Sequence, residues 1–135
     1  MEDRLDLRLR VLLPIVDALP APLVLLAGRG ARRNLGFGDS VLELSPLSDD
    51  ELVRFYAASL AVLVPSRYEG FGLPALEALA CGVPVIAADA GAHAEVLGQA
   101  GLLVPPSNPL AWREACQRVY RDDVLRNSNG VVRVH

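Results

Sequence analysis

The chain alternates short apolar runs with longer stretches in which apolar residues recur at helical spacing. Short apolar runs bounded by glycine and proline are typical of strands that are buried on both faces of a sheet. The alternation therefore predicts an α/β fold, in which about five strands form a parallel sheet with helices on both faces. The predicted strands cover residues 22–27, 40–44, 61–64, 83–87 and 101–104.

Two helix starts carry local capping signals. Ser48 followed by Glu51 has the spacing of a capping box, in which each side chain accepts a hydrogen bond from the other residue's backbone N–H. Asn108 followed by Pro109 predicts a second start, because the amide oxygen caps the first turn and proline needs no N–H there. Helices are predicted from these positions to about residues 58 and 120.

Residues 4–19 fit two patterns. Apolar residues alternate at the start of this segment as in a strand, yet they also recur at the spacing of one helix face. A helix is favoured because Pro20 and Pro22 follow the segment and would stop it. The predicted apolar face consists of Leu5, Leu9, Leu12, Val16 and Leu19.

A glycine-rich turn joins the third predicted strand to a short helix. Gly70 and Gly72 let the backbone approach a ligand closely, and Pro74 suits the first helical turn. Gly82 followed by Pro84 predicts the end of the helix. The free N–H groups at the start of such a helix carry partial positive charge, so they favour an anion such as a phosphate.

Two carboxylates flank this turn. Glu69 precedes the helix and Glu77 lies roughly one turn inside it, so the two side chains can accept hydrogen bonds from different hydroxyls. A phosphate-binding helix start between two hydroxyl acceptors suits a phosphorylated sugar or a nucleotide sugar. The alternative from the local pattern is that both glutamates are solvated and the glycines only shape a turn.

The stretch 65–85 resembles the Glu-x7-Glu signature of the retaining, nucleotide-sugar-dependent glycosyltransferases of GT-B type, which have two Rossmann-like domains. This is the glycogen-synthase-like and sucrose-synthase-like group. The resemblance extends over roughly residues 4–125 and implies a Rossmann-like domain that binds the sugar donor. Further segments similar to the family pattern are 23–28, 48–52, 91–96 and 101–104.

The resemblance implies a role for each residue of the motif. The donor would be a nucleoside diphosphate sugar, bound without a metal or another cofactor, and residues 42–47 would line its base. Glu69 would contact the donor-sugar hydroxyls as the catalytic residue, and Glu77 would hold the ribose hydroxyls. The donor sugar and phosphate would be bound by Gly70, Phe71, Gly72 and Leu73.

The family pattern also contains parts that have no counterpart in this sequence. These parts are an N-terminal acceptor domain and the first strand of the donor domain, which carries an arginine and a lysine that neutralise the diphosphate. Asp3 stands nearest to that lysine, and the sequence contains no lysine. Residues 1–126 are therefore expected to form a partial donor-binding domain and 127–135 a flexible tail.

Two other functions are compatible with these differences between the sequence and the family pattern. The first is a non-catalytic nucleotide-sugar-binding module, which would need a partner chain, a missing N-terminal domain or a second copy of itself. The second is a nucleotide-sugar epimerase, which the Glu-x7-Glu context disfavours.

A missing first strand has a structural consequence. That strand is central in a doubly wound sheet, so without it the strands near Val24 and Val62 lose their shared neighbour. We expect these strands to pair directly, to recruit another segment such as 131–134, or to leave the domain marginally stable, because unpaired buried backbone groups cost free energy.

The amino-acid composition limits the possible binding partners and the cellular compartment. A net charge of -3 with 52% hydrophobic residues indicates a globular domain without a basic field for nucleic acid. The most apolar region, 11–28, contains Asp17 and several prolines, so no transmembrane segment is predicted. Cys81 and Cys116 lack metal-ligand spacing and are expected to be free thiols, which favours the cytoplasm.

Three arginines follow the first predicted strand. Arg29, Arg32 and Arg33 are expected in a polar loop on the ligand side of the sheet. They either solvate this loop or contact a ligand, and the sequence leaves both readings open.

Overall fold

The computed structural model describes residues 7–25, 30–44, 47–65, 73–90, 93–97 and 100–122. Within these ranges strands and α-helices alternate after an N-terminal 3-10 helix (Leu7–Ala18), which confirms the predicted α/β fold. The strands are β1 (Val24–Leu25), β2 (Leu42–Glu43), β3 (Val62–Val64), β4 (Val85–Ala88) and β5 (Leu102–Val104). The helices are α1 (Ala31–Asn34), α2 (Asp49–Ala58), α3 (Leu73–Ala80), α4 (His93–Leu97) and α5 (Pro109–Arg121).

All strand pairings in the described residues are parallel, as predicted. β4 lies between β3 and β5, with Ile86 opposite both Leu63 and Leu102. β1 and β2 form a separate pair, with Val24 opposite Leu42. The five strands are thus divided between a sheet of two and a sheet of three, because β1 and β3 do not pair with each other.

One edge of β1 and one edge of β3 have no strand partner in the part of the chain that the structure describes. Leu23 and Leu25 accept hydrogen bonds from the β2 side at 3.0 and 3.2 Å, so Val24 between them turns its backbone groups the other way. Val62 donates to the carbonyl before β4 at 2.8 Å, which turns the N–H of Leu63 away from β4. Within the described residues, β1 and β3 therefore do not pair directly, and the alternative segment 131–134 lies outside those residues.

The central strand β4 supplies the core on both faces of its sheet. All four of its residues are buried, and successive side chains point to opposite faces. Ile86 and Ala88 belong to a cluster with Trp112 and other residues of α5, which we call the α5 cluster. Val85 and Ala87 belong to the opposite cluster, the α3 cluster, whose other buried members are Tyr56, Val64, Ala78, Val83 and Leu97. Helices therefore cover both faces, as predicted.

The two predicted helix caps are confirmed. Ser48 Oγ accepts from the Glu51 N–H at 3.2 Å, and Glu51 Oε1 accepts from the Ser48 N–H at 2.8 Å. The backbone N–H of Ser48, followed by its hydroxyl, lowers the pKa of Glu51. Asn108 Oδ1 accepts from the Ala111 N–H at 3.3 Å, and Pro109 is the first residue of α5.

The N-terminal segment is helical as predicted, but its winding differs. It forms a 3-10 helix that contains Pro14, and it packs against α5. A 3-10 helix brings residues three apart onto one face. Among residues 10–18, Leu12 and Ile15 are accordingly buried, whereas the α-helical stripe left Ile15 out and predicted Val16, which is only partly buried against the same cluster.

The open edge of β3 predicts uneven hydrogen exchange. The Leu63 amide should exchange at least about a hundredfold faster than the Ile86 amide, because β4 is paired on both sides whereas the Leu63 edge has no strand partner among the described residues. Amide exchange of the dilute monomer, followed by NMR, measures both residues in one sample. Equal protection of Leu63 and Ile86 would contradict the open edge and show that another segment covers it.

Close packing at Gly101 predicts that even one added methyl group destabilises the fold. A Cβ at Gly101 would approach Leu97 Cδ1 to 2.9 Å and the Val85 carbonyl oxygen to 3.0 Å. We expect Gly101→Ala to lower the free energy of unfolding by about 1 to 3 kcal/mol in urea denaturation. Gly38→Ala is the matched control, because nothing lies within 4 Å of its added Cβ. Equal stabilities of the two variants would contradict the packing.

Candidate functional site

The candidate site lies at the carboxyl end of β3. Ligands of parallel α/β sheets bind outside the carboxyl ends of the strands, and the chain passes from the end of β3 to the start of α3 there. The site predictions for Glu69, Gly70, Phe71 and Gly72 lie outside the described residues. Leu73 is the first residue of α3, so the predicted helix start is confirmed.

Helix α3 ends where the sequence predicts. Gly82 has φ +77°, a left-handed conformation that favours glycine. Its N–H donates to the Leu79 carbonyl at 3.0 Å, and the N–H of Val83 donates to the Ala78 carbonyl at 3.3 Å.

The first turn of α3 contains no acidic residue, so no carboxylate from that turn neutralises its free N–H groups.

Glu77 lies on the exposed side of α3. Its neighbour Ala78 is fully buried in the α3 cluster, so the helix turns Glu77 outward. An exposed carboxylate in the second turn of a helix that starts at the ligand edge is free of packing constraints and can accept hydrogen bonds from ligand hydroxyls. The geometry is thus compatible with the predicted role of Glu77.

Tyr56 lies close to Glu77, and sequence reasoning did not identify it. The phenol ring is 6% exposed and packs in the α3 cluster with Ala78. Burial, followed by the charges of Glu77 and Cys81, raises the pKa of Tyr56. The phenol therefore remains a protonated hydrogen-bond donor beside the candidate site. Its helical position in α2 indicated packing but could not indicate this neighbour.

Glu43, the last residue of β2, is a second residue that sequence reasoning missed. Its Oε2 accepts from the Gly30 N–H at 2.8 Å and its Oε1 accepts from the Arg32 N–H at 2.7 Å. The carboxylate therefore connects the end of β2 to the start of α1. No spacing signal reveals this contact, because thirteen residues separate Glu43 from Gly30.

Two of the three predicted loop arginines are in the described part, and they lie in helix α1. Arg32 donates through Nη1 to the Val41 carbonyl at 3.0 Å, so its guanidinium group supports the fold. Arg33 is exposed, and Arg29 lies outside the described residues.

His93, at the start of α4, is buried to 2% exposure. Its Nδ1 lies 2.9 Å from the Ala88 carbonyl oxygen at the end of β4. Because a carbonyl only accepts, Nδ1 carries the proton in this contact. The histidine thus joins a strand end to a helix start.

The thiols are free, as predicted, and neither belongs to a metal site in the described residues. Cys116 is buried in the α5 cluster, and this burial raises its pKa to about 11. Cys116 therefore stays protonated and unreactive at neutral pH.

Among the residues that the structure describes, no helix has the length and apolar character needed to cross a membrane.

Comparison with known proteins identifies the family. A family model described as "Glycosyl transferases group 1" matches residues 1–122. The chain belongs to the group 1 glycosyltransferases. The family match covers every described residue, including the carboxyl ends of all five strands.

Individual relatives agree with this family. The D-inositol 3-phosphate glycosyltransferase of Nocardioides sp. is 39% identical over 132 residues, which are 90% of this chain and 29% of that protein. The O-antigen chain mannosyltransferase B of Escherichia coli is 37% identical over 123 residues, which are 85% of this chain and 32% of that protein. The chain thus spans only about a third of the length of these curated relatives.

A solved structure shows the same fold. The sucrose-phosphate synthase from Thermosynechococcus elongatus superposes with a TM-score of 0.73 at 31% identity. The superposition covers 90% of this chain and 35% of that chain. The fold is therefore the Rossmann-like α/β domain that the sequence predicts.

The proximity of Tyr56 and Glu77 predicts a measurable pKa change. Glu77→Gln should lower the pKa of Tyr56, because it removes a negative charge that disfavours the phenolate. Tyrosinate absorbance in an alkaline titration measures this pKa in a Tyr68→Phe, Tyr120→Phe background, where Tyr56 is the remaining tyrosine. Glu95→Gln on α4 is the control and should leave the value unchanged. An equal Tyr56 pKa in both variants would refute the proximity.

The raised pKa of Tyr56 also predicts how stability depends on pH. Because the pKa is higher in the folded state, the contribution of Tyr56 is present below about pH 10 and is lost as the pH rises above that value. Tyr56→Phe should therefore show a smaller loss of unfolding free energy across this alkaline range. An unchanged slope would show that other groups cause the loss.

Proposed function

We propose that the chain is the donor-binding part of a retaining, GT-B-type glycosyltransferase that uses a nucleoside diphosphate sugar. The observation that carries this proposal is the placement of α3. This helix starts at the ligand edge of a parallel sheet without an acidic residue in its first turn, and it exposes Glu77 one turn further on. Membership of the group 1 glycosyltransferases supports the same reaction class.

The proposed site combines one anion-binding region with two hydroxyl acceptors. The N–H groups from Gly70 to Leu73 bind the diphosphate or the sugar, and Glu69 contacts the hydroxyls of the donor sugar. Glu77 binds the ribose hydroxyls. These assignments follow the Glu-x7-Glu pattern in the sequence and the helix start that the structure describes at Leu73.

The proposed catalysis is electrostatic. When the bond between the sugar and the phosphate breaks, negative charge develops on the leaving diphosphate. Preorganised N–H groups at a helix start stabilise this charge because they are already oriented before the bond breaks. No metal is needed in this scheme. Both free thiols favour a cytoplasmic location.

Replacement of Glu77 tests this function. Glu77→Gln should weaken the binding of a nucleoside diphosphate sugar by about tenfold or more, because hydrogen bonds to a charged group contribute about 1.5 to 3 kcal/mol. Isothermal titration with UDP-glucose, UDP-N-acetylglucosamine and GDP-mannose measures the affinity of the full chain. Glu95→Gln, which changes an exposed glutamate on α4, should bind as the wild type does.

Each result of this titration has one meaning. Binding of any of these donors by the wild type and weaker binding by Glu77→Gln would support the site. Equal affinities of the wild type and Glu77→Gln would show that the ribose assignment is wrong. Absence of binding to all three donors by the wild type would overturn the proposed donor-binding function of the chain.

A non-catalytic binding module is the second candidate function. The edges of β1 and β3 favour it, because within the described residues they have no strand partner, so a segment from a partner or from a second copy can pair with them. This module would bind the donor without transferring or hydrolysing the sugar. If the isolated chain releases the nucleoside diphosphate from a bound donor, the chain breaks the bond to the sugar, and the non-catalytic function is excluded.

A further inference from the structure

The carboxylate of Glu43 is shared by two backbone N–H groups at the ligand edge of the smaller sheet. Oε2 accepts from the Gly30 N–H at 2.8 Å, and Oε1 accepts from the Arg32 N–H at 2.7 Å. Such short bonds to an ionised acceptor are among the stronger hydrogen bonds in proteins. Glu43 thereby holds residues 30–32 at the start of α1, which we call the turn 30–32.

A third hydrogen bond connects the same two segments, this time from a side chain of the first segment to the backbone of the second. Arg32 donates through its guanidinium Nη1 to the Val41 carbonyl at 3.0 Å, just before β2. The segment 30–32 and the segment 41–43 are therefore cross-linked by one carboxylate and one guanidinium. All three bonds are partly buried, so water competes with them less than it would at an exposed site.

The turn depends on these contacts for its shape. Gly30 has φ +83°, and the following helix α1 has only four residues. A helix this short is not stable by itself and takes its position from tertiary contacts. Loss of the Glu43 carboxylate would leave two N–H groups without their acceptor and would release the start of α1.

The place of this cross-link in the fold suggests a role beyond stability. Leu25 and Glu43 are opposite each other at the carboxyl ends of β1 and β2. Ligands of parallel sheets bind beyond such ends, where the backbone that leaves the strands contacts them. A contact that fixes residues 30–32 relative to the end of β2 therefore fixes part of the ligand edge.

We propose that Glu43 is a positioning residue of the donor site. It holds the turn 30–32 and the end of β2 in the one arrangement that binds the nucleoside diphosphate sugar, without contacting the donor itself. This assignment rests on the proposed donor-binding function. It also requires reciprocal coupling: if the fixed turn favours the donor, the bound donor must in turn hold the turn more tightly.

The test compares Glu43→Gln with two matched variants. The amide that this substitution introduces keeps the size of the side chain but has one acceptor oxygen for two N–H donors. Glu114→Gln on α5 is the control for the loss of one exposed carboxylate. Glu77→Gln tests the proposed function separately. The readouts are titration with the tightest-binding donor of the panel and amide exchange at Gly30, Arg32 and Ile86.

The proposal predicts a specific combination of results. In the free protein, Glu43→Gln should speed exchange at Gly30 and Arg32 by about tenfold and leave Ile86 unchanged, because the loss is local. It should weaken donor binding by about tenfold. Saturating donor should slow exchange at Gly30 and Arg32 in the wild type. If the contact of Glu43 were purely structural, the donor would not change this exchange. Glu77→Gln should weaken binding without changing exchange at Gly30 in the free protein.

Three results would overturn the proposal. If Glu43→Gln binds the donor as the wild type does while Glu77→Gln binds weakly, the donor site stands and Glu43 has no positioning role. If Ile86 exchanges faster by the same factor as Gly30, Glu43 stabilises the whole domain instead. If the wild type binds no donor, the proposed function fails and the role of Glu43 fails with it.

Discussion

The burial of β4 on both faces is the constraint on which the rest of the structure depends. Its four residues have no exposed side chain, and consecutive residues alternate between the α5 cluster and the α3 cluster. A shift by one residue would exchange every side chain between the two clusters. The pairing of β4 with β3 and β5 is therefore strongly specified, and it fixes the strand ends at which α3 and α4 begin.

The same constraint explains why the division into two sheets does not separate the core. Leu25 of β1 is buried in the α5 cluster together with Ile86 of β4, and Leu63 of β3 packs against this cluster. Apolar contacts thus hold β1 and β3 to one core, although no hydrogen bond joins these two strands. Hydrophobic contact is not directional, whereas a sheet ladder requires aligned backbone groups. The core can therefore form although β1 and β3 do not pair with each other in the described part of the chain.

The sequence predicts those parts of this structure that depend on near neighbours. The capping box of Ser48 and Glu51 and the stop at Gly82 are correct because each depends on residues no more than a few positions apart. The winding of the N-terminal helix could not be predicted from neighbouring residues, because Ile15 and Val16 are both apolar. The burial of Ile15 accompanies packing of this helix against α5, which is distant in the sequence. Glu43 was missed for a similar reason, since its partners are eleven and thirteen residues away.

The starts of α1 and α3 show how charge can distinguish two otherwise similar places at the ligand edge. The N–H groups of Gly30 and Arg32 already bind the carboxylate of Glu43, so an incoming anion would have to displace an ionised acceptor at 2.7 to 2.8 Å. The first turn of α3 has no acidic residue of its own. A helix start without a carboxylate attracts an anion, whereas one that is filled by a carboxylate repels it. Within the described residues, electrostatics therefore favour an anion at the start of α3 over one at the start of α1.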